Sequence, residues 1–407
     1  VCGPHSAVIA DVSGPEELLA EARAGLPSGS ATPEATAVRL RRMGVELAWG
    51  EPVLVRDLAE LCDLGRRRGR DSVEVIRADP SLLPELAVGA WWSASPAFRM
   101  LRRALAPTGG WRLPAAARRL GPAVVQDAAF WSGVREQATG AEWRRLARSS
   151  YVVLCYHRVA GEGKPGQERM DLAPRRFRSQ LAALRLLGWR HLTPEELLRF
   201  HEQPGAAIGR RRYVVTFDDG FRDAVAAARR AGSHAPQMFV VTDVVGGDGD
   251  WLGGEPLAGW DELAELGHAG GIIGSHARQH VRLDELSEPE LRRQLCDSLA
   301  ELRSRLPVAA ALIAYPHGAH DLRVRREAIA AGYVAAYTSM HGRNGAGTDR
   351  WCLRRVEPKQ DDGVATFLWK VLSGSNRAPA YLRRLRGRGV APRASRRSRR
   401  AGADLEP

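Results

Sequence analysis

Between residues 151 and 339 the chain alternates short apolar runs with longer amphipathic stretches, and this alternation limits the folds open to it. The runs at 151–155, 213–217, 237–242, 271–275, 310–314 and 334–339 have the length and apolar content of buried strands. Between them, residues 175–187, 193–200, 221–231, 260–269, 288–306 and 321–331 carry helical spacing. Strands separated by helices pair in parallel, and a parallel sheet presents its reactive side chains at the carboxyl ends of its strands. The expected class is therefore α/β, with any chemistry gathered along one rim.

Residues capable of chemistry fall on that rim. Tyr213-Val214-Val215-Thr216-Phe217-Asp218-Asp219-Gly220 ends a β-branched run in two adjacent carboxylates. Neighbouring carboxylates repel, so a strand end tolerates them where a cation neutralises one or water solvates both. Taken alone, a strand followed by an Asp-Gly turn explains the octet. Further on, Gly274-Ser275-His276-Ala277-Arg278-Gln279-His280 places two histidines at i and i+4. On a helix or helical turn they would share one face, and with Asp219 they make a two-histidine, one-carboxylate set with positions left for water and substrate. Chance pairs are common in a chain with 11 histidines, but this pair lies between the Asp-Asp strand and Ala314-Tyr315-Pro316-His317-Gly318.

In this order the three stretches resemble the motifs of the polysaccharide deacetylase family, the NodB-homology or carbohydrate esterase family 4 group. Residues 216–220 match the first motif, Thr-Phe-Asp-Asp-Gly, in full; His276 and His280 match the second, with Ala277 replacing its hydroxyl residue. The third, Arg-x-Pro-Tyr-Gly, survives at 314–318 with Ala314 for the arginine and His317 for the tyrosine. The resemblance runs from about residue 151 to about 371, with softer support from Trp260, the stretch from Leu283 to Leu286, and Ala331-Gly332-Tyr333. It implies a distorted (β/α) barrel and metal-dependent removal of N-acetyl groups from an amino sugar in a glycan, polysaccharide or glycolipid. Asp219, His276 and His280 would hold the divalent ion, with zinc the expected occupant. Asp218 would be the general base, and the backbone N–H of His317 would contribute to the oxyanion site. The family arginine orients the catalytic aspartate; with Ala314 in its place, Arg354 or Arg355 are the candidates to reach in from the last strand. For the general acid, His341 occupies the usual late position but sits in a Gly- and Asn-rich loop. His157, at the end of the first strand, resembles the permuted branch of the family and is preferred, because a strand end holds an imidazole more rigidly.

Composition sets the rest. At 407 residues two domains are expected: residues 1–150, mostly helical, and a deacetylase domain over 151–375, followed by a disordered arginine-rich tail at 376–407. Of the net charge of +13, nine arginines at 381–400 leave only +4 for the remainder, so the basic balance belongs to the tail and no specific nucleic-acid partner is expected. The tail itself suits an anionic surface or polymer, or simple solvation. Five scattered cysteines without C-x-x-C spacing suit reduced thiols, and no apolar run of membrane-spanning length occurs. The expected location is cytoplasmic for the residues as given, which begin Val1-Cys2-Gly3 without a methionine. Residues 161–174 read as a loop beside the substrate groove. In 1–150, residues 33–42 read as a helix and 45–49 as a strand, and about 30–85 loosely resembles the C-terminal end of family-2 glycosyltransferases, without the catalytic Asp-x-Asp. Trp91, Trp92, Trp111, Trp131 and Trp143 suit helix packing better than a sugar platform. The N-acetylated carbohydrate reading competes with a catalytically weak glycan-binding module and with a surface-binding protein acting through the tail.

Overall fold

The computed structural model describes residues 24, 33–42, 58–108, 122–160, 171–230, 235–249, 254–307 and 309–379. The strand expected at 45–49, Trp111, residues 161–170 of the expected loop and the tail from 380 lie outside the described residues.

Among the described residues five α-helices precede the sheet: α1 (Pro33–Arg42), α2 (Leu58–Ala78), α3 (Pro96–Leu105), α4 (Pro122–Gln137) and α5 (Gly140–Arg148). The run Gly65-Arg66-Arg67-Arg68-Gly69-Arg70 is the middle of α2, and its glycines serve helix contact. A Cβ on Gly69 would lie 2.0 Å from the Phe130 carbonyl oxygen, and one on Gly133 of α4 2.0 Å from that of Arg66. Only glycine permits this approach of α2 to α4. The likeness to a glycosyltransferase end gains no support from this arrangement. The tryptophans are packing anchors: Trp91 and Trp131 meet edge to face at 4.7 Å, and Trp143 meets Trp91 at 5.4 Å.

The sheet begins at the C-cap of α5. In chain order come β1 (Ser150–Tyr156), α6 (Pro174–Leu186), β2 (Arg190–His191), α7 (Pro194–Glu202), β3 (Arg212–Phe217), α8 (Arg222–Arg230) and β4 (Gln237–Val240). The hairpin β5 (Asp248–Gly249) and β6 (Glu255–Pro256) precedes α9 (Trp260–His268), β7 (Ile272–Ser275), α10 (Glu288–Arg305), β8 (Ala309–Ala314), α11 (Leu322–Ala330), β9 (Ala335–Tyr337), β10 (Asn344–Gly345) and α12 (Val364–Ser373). The helices start where the sequence provides caps: Thr193 and Glu196 box α7, and Ser287 and Glu290 box α10.

The main sheet runs β10-β1-β3-β4-β7-β8-β9, with β2 also on β3; every pairing is parallel except β1 with β10. Its two flanks curl toward each other, and residues 353–356 bridge them. Leu353 bonds to Ala336 and Thr338 beside β9, and Val356 exchanges hydrogen bonds with Val153 and Cys155 of β1. The result is a distorted (β/α) barrel. Successive side chains alternate between its two faces: Val152, Leu154 and Tyr156 pack outward with Phe177 and Leu181 of α6. Tyr151, Val153, Val214, Phe239, Leu312 and Tyr337 fill the interior as one apolar cluster with Trp91, Trp131 and Val134. The N-terminal helices thus plug the end where the strands begin, leaving the carboxyl ends as the face open to a ligand.

Candidate active site

On the inward face of the carboxyl rim the alternation brings Cys155 of β1, His157 just after it, Asp218 after β3, and His276 after β7 to one cavity of about 200 Å³. Asp219, His280, His317 and Arg355 line it as well. Three of its backbone positions are left-handed without being glycine: Asp219 (φ 70°), Ala277 (φ 62°) and His317 (φ 58°). Such conformations are costly for side chains with a Cβ and persist where surrounding structure over-determines them. Here each one turns the chain sharply at the end of a strand. Behind the His317 turn, a Cβ on Gly318 would lie 2.2 Å from Ser339 Oγ, so glycine is required there.

The histidine pair converges by a route the i, i+4 spacing did not foretell. His276 to His280 is not helical; the left-handed Ala277 folds the loop back, placing the two rings 5.3 Å apart. Ser275 Oγ accepts from the Ala277 N–H, and Gln294 of α10 accepts from that of Gln279. A left-handed residue needs no hydroxyl of its own, and Ala277 is fully buried.

His276 Nδ1 lies 2.7 Å from the Ala314 carbonyl oxygen, which can only accept, so Nδ1 carries a proton and Nε2 is the nitrogen able to ligate. That nitrogen faces Asp219: Nε2 of His276 and Nε2 of His280 are each 3.4 Å from Oδ1. Asp219 is 2 % exposed, and both its oxygens lack a hydrogen bond at normal geometry among the described residues. A buried carboxylate without a donor is costly; three inward-facing donor atoms within 4.8 Å of one another fit a divalent cation better than they fit each other. Burial tends to neutralise the Asp219 carboxyl, but His276 and the neighbouring imidazoles hold it below the usual range. Burial and the adjacent His276 press His280 down to about 4, so it is neutral and able to ligate; burial opposes a charge on His276, but Asp219 and Asp218 outweigh it and raise that imidazole, so a cation entering there displaces a proton shared between Nε2 and Asp219.

Asp218 is handled differently. Its Oδ1 accepts from Arg355 Nη1 at 2.7 Å, and both side chains are almost completely buried. Burial alone would raise this carboxyl; Arg355, then His276, outweigh it and hold it well below the ordinary value. Arg355 is fixed in turn by donating from Nε to the Thr338 carbonyl oxygen at 2.8 Å. Of the two arginines expected to cover for Ala314, the bridging segment directs Arg355 to the aspartate, while Arg354 bonds through its backbone with Asn344.

His157 lines the cavity, whereas His341 is exposed and does not. His317 also lines it, its ring 4.3 Å from that of His280. Four lining residues carried no legible signal: Cys155, Ser339, Glu357 and Asn376 come together only through the closure of the barrel. Two acids outside the cavity lining are held in ion pairs. Asp223 lies in α8 and pairs with Arg158, which also reaches Asp171 and Glu255; Asp243 pairs with Arg278.

The polysaccharide deacetylase family matches residues 207–336, a span holding the aspartate pair, both histidines and the His317 turn. The chain carries a polysaccharide deacetylase domain. The domain is that of a hydrolase acting on the amide bonds of N-acetyl groups. A relative in Bacillus subtilis (strain 168) named for the same family, YxkH, is 21% identical over 229 residues, 54% of this chain and 76% of that protein. An uncharacterized protein of Streptomyces coelicolor is 31% identical over 122 residues, 30% of this chain and 45% of its own. Among solved structures, the Streptococcus pyogenes deacetylase PplD aligns with a TM-score of 0.49 at 20% identity, covering 55% of this chain and 99% of PplD. IcaB from Ammonifex degensii gives 0.48 at 24%, covering 56% and 97%. His157 and Arg355 fall outside the matched span, so their placement in the deacetylase site rests on the geometry.

Proposed function

We propose that this chain is a divalent-metal-dependent deacetylase that removes the acetyl group from an N-acetylated amino sugar in a glycan, polysaccharide or glycolipid. The observation that carries the reading is the buried Asp219 carboxylate, whose oxygens lack a hydrogen bond at normal geometry among the described residues and which two imidazole Nε2 atoms face at 3.4 Å. Asp219, His276 and His280 would hold the ion, with zinc fitting the nitrogen-rich set best. Bound there, it would supply Lewis acidity toward the acetyl carbonyl and toward water.

The residues divide the remaining work. Asp218, held ionised well below the ordinary carboxylate range and fixed by Arg355, accepts the proton of the attacking water. Its low basicity is the cost of that fixation; a carboxylate oriented by a bidentate-capable guanidinium offers position in place of proton affinity. The developing oxyanion receives the backbone N–H of His317, which the exchange of tyrosine for histidine leaves intact. His157 returns a proton to the leaving amine.

Acetate release from N-acetylglucosamine oligomers and peptidoglycan fragments, measured after chelation and again after zinc is restored, tests the reading. Release that depends on zinc supports it. Stoichiometric zinc binding with no release from any glycan would favour a binding module of the same fold.

A further inference from the structure

Beside the Asp219 set, a second group of donors shares the cavity. Cys155 lies on β1, His157 two residues on, and Asp218 beyond β3; one ligand atom from each lies within 4.8 Å of the others. Parallel pairing of Cys155 with Thr216 fixes this juxtaposition. Cys155 Sγ donates to Asp218 Oδ2 at 3.6 Å, while Arg355 donates to Oδ1. The thiol is buried yet lines the cavity, and the deacetylation steps above make no use of it.

We propose that Cys155, His157 and Asp218 form a second cation site, selective for a thiophilic divalent ion such as zinc, whose occupation stops turnover; this rests on the roles assigned above to Asp218 and His157. Sulfur, imidazole nitrogen and carboxylate oxygen are a zinc donor set, whereas magnesium and manganese prefer all-oxygen surroundings. Entry is an exchange without redox change: the Sγ–H bond breaks, its proton passes to solvent, and an Sγ–metal bond forms. Asp218 Oδ2 is then engaged and no longer free to take a proton from water, and the His157 nitrogen cannot deliver one to the amine. Arg355 opposes a second cation from the Oδ1 side, so this site fills after the first. Zinc would therefore activate at low concentration and inhibit at higher concentration.

The test uses the full chain, stripped with chelator and titrated with Co²⁺, while absorption and bound metal are recorded together. The expected result is two ions per chain, the second bringing a thiolate-to-cobalt charge-transfer band in the near ultraviolet that Cys155→Ser abolishes while the first ion still binds. In the same variant the zinc concentration that halves deacetylation should rise roughly tenfold or more. Should Cys155→Ser fail to fold, His157→Ala, which keeps the thiol, should weaken the second ion by a similar factor. One ion without a thiolate band in the wild type, or a band that survives in Cys155→Ser, overturns the second site and leaves the deacetylase reading standing. A band-bearing ion with none bound at the Asp219 set would have the opposite meaning, upholding the Cys155 site and removing the proposed catalytic metal.

Discussion

Replacing Arg355 by methionine keeps most of the side-chain length and deletes the guanidinium that the structure places 2.7 Å from Asp218 Oδ1. Both partners are about 5 % exposed or less, so little solvent is available to take over the neutralisation. Removing one partner of a buried ion pair typically costs about 3–5 kcal/mol, mostly because the remaining charge is left uncompensated. At roughly 2–4 °C per kcal/mol for a domain of this size, the melting midpoint should fall by about 6–20 °C. The pH dependence has a definite sign. Asp218 is held below its unfolded value, so in chelated wild type its pairing stabilises the fold fully above about pH 3.9 and is lost as pH falls further. The gap between wild type and Arg355→Met should consequently narrow on acidification below about pH 4. Turnover should drop at least about tenfold, since even ~1.4 kcal/mol of lost positioning has that effect, while the ion of the Asp219 set stays bound as in the wild type because none of its ligands is touched. Differential scanning calorimetry and acetate release measure the two consequences separately. A variant that melts with the wild type and turns over normally would refute the idea that Arg355 replaces the arginine missing at Ala314.

Four further outcomes are expected. His276→Ala should lose the ion of the Asp219 set at ordinary zinc and with it activity, whereas Asp218→Asn should retain that ion, by elemental analysis at one equivalent of zinc, and lose turnover. His157→Ala should lower kcat by roughly 10²–10⁴-fold with the ion of the Asp219 set retained, and His341→Ala should change little; the reverse ranking in their pH-rate profiles would reassign the acid. Gly69→Ala forces a methyl against the Phe130 carbonyl oxygen and should cost about 1–3 kcal/mol as overpacking, and a single shared calorimetric transition would show that the helical plug and the barrel unfold together. Burial, followed by the repulsion of Arg145, depresses His201 to about 3. It binds its proton more weakly folded than unfolded, so stability should decline from about pH 6.5 toward about pH 3, and His201→Gln should flatten that decline in urea titrations.

The catalytic rim was legible because it depends on short-range pattern. A strand signal, a glycine and adjoining ionisable residues sufficed to place Asp218, Asp219 and His276 at strand ends, and the six helices expected in the α/β region lie within two residues of their expected limits. What depends on closure was not legible. Residues 353–356 have no strand periodicity of their own, since they are held by isolated bridges to two different strands, and α12 was not anticipated. The choice of Arg355 over Arg354 is a matter of which face that segment turns inward. The helical route proposed for the histidine pair failed for a related reason: Ala277 carries no mark of a left-handed residue, and that conformation comes from the packing around it.

These two kinds of information bear on how the site is kept. Three left-handed non-glycine residues at strand ends cost about 1–3 kcal/mol each, and a buried carboxylate awaiting a cation adds to that. At the rim, Ala277 is packed in a buried cluster with Leu283, Leu291 and Tyr315, which offsets part of that cost. Further compensation lies below, where Phe239, Leu312 and Tyr337 continue into Trp91 and Trp131 in one buried cluster. If the N-terminal helices were removed, the floor of the barrel would be exposed and the strands that hold these turns could splay. Their contribution to catalysis is then structural and indirect: a truncated chain starting at Ser150 should bind zinc more weakly and show raised backbone exchange first at Asp219, Ala277 and His317, measured by hydrogen exchange. Unchanged protection at those three turns in the truncated protein would mean that the barrel alone sustains the strain.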